Sequence, residues 1–285
     1  MAIGSTRGKR RLGRHLRPIL ERSGLKVDEV VKRSRVSRPT ITRMLSGEAL
    51  ARWPALSMVL DVIGATPEEK TRALQLWEVA DVDPSAIEHA RDLPANYKRL
   101  RMDELEAVRE RTLDSALVPG LLQTAGYAEA LARAARRRIV GESWDSRAAA
   151  ERADRQAALT RENPVEYHAL IDEAALRRLV GGPEVMAEQL DHLVRAAERP
   201  NVTIQILPYA AGAYGAQVGA MFLLDFDQSD EPRAAYVEAL TGMVPVEDEE
   251  AEVLSAVWDD AARLALTVEE SVGLIGAVRR RLGER

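Results

Sequence analysis

The stretch VSRPTITRMLSG, residues 36–47, decides how the N-terminal part of the chain folds. Ser37 is suited to a helix N-cap, its hydroxyl accepting an N–H of the first turn. Pro39 falls in that turn, where no helical bond needs its missing N–H. Ile41, Met44 and Leu45 stand at i, i+3, i+4 and share one helix face. Arg38, Thr40 and Arg43 are left on the other, and Gly47 suits a left-handed C-cap. The pattern predicts a short helix with an apolar back and a front of two arginines and a threonine. Such a front matches the donors and acceptors of nucleic-acid base edges and phosphates.

Helical periodicity continues on both sides. Leu12, Leu16, Ile19 and Leu20 form one apolar stripe ending at Gly24, and Val27, Val30 and Val31 form a second short one. Arg35 to Ser37 make the turn into the helix already described. Leu56, Val59, Leu60 and Ile63 mark a fourth helix closed by Gly64. Thr66-Pro67-Glu68-Glu69 is a capping box with Pro at the first helical position, opening a fifth helix that holds Leu74 and Trp77. Five short helices with tight turns predict an all-α domain over residues 12–80. Before it, MAIGSTRGKRR is nearly devoid of apolar side chains and reads as a flexible basic arm, residues 1–11.

Charge separates this head from the rest. Residues 1–53 carry 14 Lys or Arg against 4 Asp or Glu, whereas the remainder carries 26 against 41. A basic module on an acidic body is the layout expected when only the module meets a polyanion. At 285 residues, 46% hydrophobic and 30% charged, the chain describes an ordinary two-domain folded protein. It has no apolar run of about 18 residues, so no membrane span is expected. The lack of cysteine excludes disulfides and thiolate metal sites, and a cytoplasmic, nucleoid-associated location is the simplest expectation.

Asp81-Val82-Asp83-Pro84 opens a linker, residues 81–93, into a second domain at 94–285. Helical patterning resumes over Tyr97 to Val108, with Leu100, Leu105 and Val108 as expected buried positions. Pro119-Gly120 marks a turn before an alanine-rich helix, and Arg147 to Leu159 is helical in composition. The period then changes. VEYHALI alternates as a strand with Val165, Tyr167, Ala169 and Ile171 on one face. After a helix started by Gly181-Gly182-Pro183, VTIQILP, GAMFLLDF and AAYVEAL read as three more strands, and helices close the chain. The acidic turn 227–232 separates the last two of these strands, and Thr267-Val268-Glu269-Glu270 caps the last helix. The fold class expected here is α+β, with a small, mostly antiparallel sheet.

Residues 12–78 resemble the lambda-repressor-like, xenobiotic-response-element family of helix-turn-helix proteins, in Gly24-Leu25, Val30, Val36-Ser37, Thr40-Ile41 and Gly47 at that family's spacing. The resemblance implies that the third helix lies in the major groove of double-stranded DNA. Arg38, Thr40 and Arg43 would then face the bases, with Pro39 near a thymine methyl or sugar edge. Three positions depart from the family: Lys26 replaces its usual Ser or Thr cap, Val27 its usual bracing Gln, and Arg35 its turn Gly. Residues 90–280 are similar to the C-terminal domain of actinomycete WhiJ-like regulators, in VPGLLQT followed by Tyr127, EVMAEQLDHL, RPNVTIQILPYAAGAY and YVEALTG. That resemblance implies an antitoxin-like transcriptional regulator, often encoded beside a small acidic partner protein.

For DNA contact the candidates are Arg38, Pro39, Thr40 and Arg43, with Ser37, Arg35, Lys32, Arg33 and Arg14 around them and Lys26 and Arg52 as weaker phosphate contacts. Electrostatic docking would run through Arg7 to Arg22 and Lys32 to Arg35. Of the histidines, His15, His89, His168 and His192, none forms an i, i+4 metal pair or a triad motif. The loop Gly212-Ala213-Tyr214-Gly215 lacks a P-loop ending, so no enzyme, cofactor or metal is expected. A small-molecule or partner pocket in the second domain has Leu121, Leu122, Gln123, Tyr127, His168, Tyr209 and Tyr214 as candidate lining. The expectation is a homodimeric, sequence-specific DNA-binding regulator whose second domain serves dimerisation and partner or effector response. The alternative is an antitoxin-like protein whose main task is binding a small acidic partner, with DNA binding autoregulatory.

Overall fold

Helix formation begins at Arg7, inside the stretch expected as an arm. The computed structural model describes residues 7–80, 93–135, 145–217, 219–227 and 232–283. The expected arm's residues 1–6, the linker residues 81–92, His89 and the turn residues 228–231 lie outside the described residues. The chain divides into two units, Met1–Asp103 and Glu104–Arg285, each with its own internal packing.

The first unit contains the five expected helices: α1 (Arg7–Ser23), α2 (Val27–Ser34), α3 (Arg38–Leu45), α4 (Trp53–Val62) and α5 (Pro67–Ala80). Leu12, Leu16 and Ile19 of α1 meet Val30, Val36, Ile41, Met44, Leu56 and Leu60 in one buried cluster. The apolar stripes of the sequence are therefore the core of this unit. At about 25 cal/mol per Å2 of apolar surface removed from water, each such side chain contributes roughly 1.5–3 kcal/mol before chain entropy is counted.

Two close approaches fix how α1 lies. A Cβ at Gly13 would come within 2.6 Å of the Leu45 carbonyl oxygen, and one at Gly47 within 2.6 Å of the Arg10 Cα. Arg10 corrects the flexible-arm expectation. Its guanidinium holds both carboxylate oxygens of Asp103 at 2.5 and 2.6 Å, with side-chain exposures of 8% and 0%. The polar first turns of α1 are thus tied to a buried anion far along the chain. Asp103 lies on α6 (Ala95–Glu106), and the division between the two units falls within that helix.

The second unit is built on a six-stranded sheet in the order β3-β2-β1-β4-β5-β6. Its strands are β1 (Arg109–Asp114), β2 (Glu166–Asp172), β3 (Val202–Leu207), β4 (Ala220–Asp225), β5 (Ala234–Ala239) and β6 (Gly242–Val246). β1 pairs parallel with β2 and β2 with β3, while the β1–β4, β4–β5 and β5–β6 pairs are antiparallel. The mostly antiparallel α+β expectation is met, and β2 to β5 stand in the four segments expected as strands. β1 and β6 were not expected. The patterning over Tyr97 to Val108 ends at Glu106, and Leu105 and Val108, expected buried, are exposed; Leu100 is buried.

Register sorts the sheet's two faces. One carries Arg111, Leu113, His168, Leu170, Leu223 and Ala235 against Ala251, Trp258 and Ala261 of α11 (Asp248–Leu264). The other carries the apolar Ala169, Ile171, Phe222 and Leu224 together with the buried Glu110, Thr112, Asp114, Tyr167 and Tyr236. The remaining helices are α7 (Ala125–Ala135), α8 (Asp145–Gln156), α9 (Glu173–Arg177), α10 (Pro183–Ala196) and α12 (Val268–Gly283). The edge of β3 is closed by the chain entering α12, where Leu266 N–H donates to the Ile206 carbonyl and Ser271 Oγ accepts from Ile206 N–H.

Candidate nucleic-acid interface

Both ends of α3 are chemically stopped. Ser37 Oγ accepts from Thr40 N–H at 3.4 Å, as an N-cap does. At the other end Gly47 adopts φ +71°, while its N–H donates to Met44 O and Glu48 N–H donates to Arg43 O. This is a Schellman closure, which satisfies two carbonyls that the helix leaves open. Ile41 and Met44 are buried, and Ser37, Arg38, Pro39, Thr42 and Arg43 are exposed with Thr40 half-buried.

The outward side chains are held locally. Arg38 Nη1 donates to Asp28 Oδ1 of α2 at 2.8 Å. The Thr40 and Ser37 hydroxyls lie 2.8 Å apart, and Arg43 Nε donates to the Pro39 carbonyl at 3.2 Å. Each of the three expected base-facing residues therefore has a partner that restricts its rotamers, leaving further donors open to solvent. Thr42 joins this face without having been expected there. Asp28 was overlooked because in the sequence it is an ordinary first-turn acid of α2; nothing local shows that Arg38 lies across from it.

The turn between α2 and α3 is strained as its sequence implies. Arg35 adopts φ 58°, ψ 18°, the single positive-φ non-glycine among the described residues, and its N–H donates to Val31 O. Lys26 cannot accept a bond as a Ser cap would, yet Glu29 Oε2 accepts the Lys26 backbone N–H at 2.9 Å, the reciprocal half of a capping box. Lys32, Arg33 and Arg35 are exposed beside α3, whereas Arg14 is half-buried on α1.

The expected docking run from Arg7 to Arg22 is thinned by internal pairing. Arg10 is buried on Asp103, Arg17 Nε donates to Leu45 O at 3.1 Å, and Arg22 makes a two-point pair with Glu69 at 2.7 and 2.8 Å. The guanidinium of Arg22 and the Thr66 N–H hold the Glu69 carboxyl down at about 2.

In the second unit the candidate pocket residues do not converge. Leu121, Leu122, Gln123 and Tyr127 lie together and are buried, but their polar atoms close their own loop. Tyr127 Oη accepts from Val118 N–H, Gln123 Nε2 donates to Val118 O, and Gln123 Oε1 accepts from Arg152 Nε at 2.9 Å. Gln189 of α10 seals the loop, donating to Leu122 O and accepting from Thr124 N–H. His168 is on the α11 face, 2.7 Å from Gln205 Oε1 and edge-on to Trp258; burial lowers its pKa. Tyr209 is exposed with the Arg177 guanidinium over its ring, and Tyr214 donates to Asp172 Oδ2 at 2.7 Å. The alternation of VEYHALI already placed His168 opposite Tyr167, but could not say which helices cover each face.

Near Tyr127, on the opposite face of the sheet from His168, is a group that the sequence reading missed. Asp114 is 7% exposed, its Oδ2 has no hydrogen-bond partner, and desolvation pushes its pKa up to about 8. Glu238 raises it further, against the lowering influence of Arg155 and Arg152. Glu104, next to Asp103 on α6, pairs with Arg155, both almost fully buried.

The fold and this interface define the N-terminal unit as a helix-turn-helix DNA-binding domain, and residues 11–74 match the family described as helix-turn-helix domain. The larger match covers residues 97–277: the chain belongs to the family described as domain of unknown function DUF5753. No curated protein and no solved structure matches the chain. No helix of the described residues is long and apolar enough to cross a membrane.

Proposed function

We propose that the protein is a sequence-specific transcriptional regulator that reads double-stranded DNA with α3 in the major groove. Arg38, Thr40, Thr42 and Arg43 face the bases, and Lys32, Arg33 and Arg35 contact phosphates beside them. The observation that carries this reading is the exposed polar front of α3, whose arginines are held by Asp28 and the Pro39 carbonyl through one nitrogen each while both side chains stay exposed. Arginine oriented in this way suits the O6 and N7 pair of guanine. Two copies reading half-sites about one helical turn, ~34 Å, apart make a homodimer the working assembly. The second unit serves dimerisation and response to a partner protein or effector; no catalytic role is assigned to it.

The test is affinity for DNA selected from a random pool by the full chain. Arg38→Ala or Arg43→Ala is expected to cost ~1–3 kcal/mol of specific binding per lost base contact, with a smaller loss on random DNA. Equal losses on both would reduce these residues to phosphate contacts. Failure of the pool to enrich any sequence would overturn the reading.

A further inference from the structure

We propose that Asp28 is a positioning residue that sets the base preference of Arg38, an inference resting on the DNA-reading role of α3. Asp28 is the second residue of α2, and Arg38 opens α3 on the far side of the turn. Their 2.8 Å contact joins one carboxylate oxygen to one terminal nitrogen of the guanidinium. Both side chains are 64% exposed, so the pair adds little to stability. Its consequence is orientational. With Nη1 engaged, Nε and Nη2 are left as a two-donor edge, which suits bidentate recognition of guanine.

The charge of Asp28 makes the idea separable from simple electrostatics. An exposed carboxylate beside a phosphate backbone weakens binding to every DNA sequence alike, because it opposes the counterion-release contribution of its basic neighbours. A carboxylate that holds Arg38 in its reading rotamer strengthens binding only where the correct base is present. Removing it should therefore lower the ratio of specific to random-DNA affinity while binding to random DNA tightens. A folding defect cannot imitate this, since a smaller active fraction lowers both together.

The experiment uses the full chain, a DNA pool randomised around the selected site, and the variants Asp28→Ala, Asp28→Asn and Arg38→Ala. Asp28→Ala is expected to tighten binding to random DNA and weaken binding to the selected site, so that their ratio falls about three- to tenfold. The base preference lost should be the one lost in Arg38→Ala, and the two losses should not add in the double variant. Asp28→Asn, which keeps an acceptor oxygen, should recover part of the preference. Tighter binding of Asp28→Ala to both DNAs with base preference unchanged would make Asp28 only a screening charge and overturn the proposal. If Arg38→Ala shifts the selected sequence and Asp28→Ala does not, the inference fails while the DNA-reading role stands. If no sequence is enriched, both fall.

Discussion

Replacing Asp114 by Asn should make the second unit more stable at neutral pH, because it exchanges a buried carboxyl on the central strand of the sheet for an amide that carries no charge. The carboxyl is buried on β1 with Oδ2 unpartnered, and its pKa rises from 3.8 in the unfolded chain to about 8. A raised folded-state pKa means that folding favours the protonated form. The associated stability is fully present below pH ~4 and is lost as pH climbs towards ~8, because the unfolded chain has already released its proton. The slope over that window is about 1.4 kcal/mol per pH unit. Asn carries no proton to release, so between pH 5.0 and 7.5 the wild type should lose about 3 kcal/mol relative to Asp114→Asn. The assay is urea unfolding at a series of pH values, read from amide exchange of peptides containing β1, so that the transition belongs to this unit. A stability difference flat in pH, or one growing in favour of the wild type as pH rises, would refute the reasoning. Asp114 would then be ionised and compensated in the folded protein.

Two further outcomes concern the N-terminal unit. Arg10→Met should lower its stability by ~3–5 kcal/mol in thermal or urea unfolding, because it removes the guanidinium that both carboxylate oxygens of the buried Asp103 share; a change under 1 kcal/mol would show that the pair adds little beyond Asp103's other interactions. Arg35→Gly should stabilise the same unit by about 1 kcal/mol, since the left-handed conformation at φ 58° carries a penalty for any residue with a Cβ. If Arg35 also meets a phosphate, the log–log salt slope of DNA binding should flatten by ~0.9 in that variant.

The N-terminal unit was legible because its cues are local. Ser37 caps α3, Gly47 closes it, and the Thr66–Glu69 box opens α5 with both reciprocal bonds, from Thr66 N–H to Glu69 Oε2 and from Glu69 N–H to Thr66 Oγ1. Each of these depends on residues within five positions, so the stretch itself carries the information. The second unit was only partly legible. β2 and β3 carry alternating apolar residues and β4 a short apolar run, and with β5 they are legible as strands. β1, sequence RERTLD, has no apolar alternation: Glu110, Thr112 and Asp114 fill one face and Arg109, Arg111 and Leu113 the other. Part of this charged segment is compensated from a distance, with Ser255, Asp259 and Asp225 around Arg111 and Tyr167 bonded to Thr112, while Asp114 Oδ2 is left without a partner.

The same division holds for function. VSRPTITRMLSG by itself determines a capped helix with two arginines and a threonine facing away from its core, because helical spacing and end chemistry act over a few residues. The charge distribution along the whole sequence also separates a basic head from an acidic body. Only the tertiary structure decided which basic residues remain outside: Arg10 is taken inward by Asp103 and Arg22 is paired by Glu69, while Arg38 stays exposed and is held by Asp28. Partners 93, 47 and 10 residues apart meet through the packing of helices, and that packing is a property of the whole unit, not of any stretch within it.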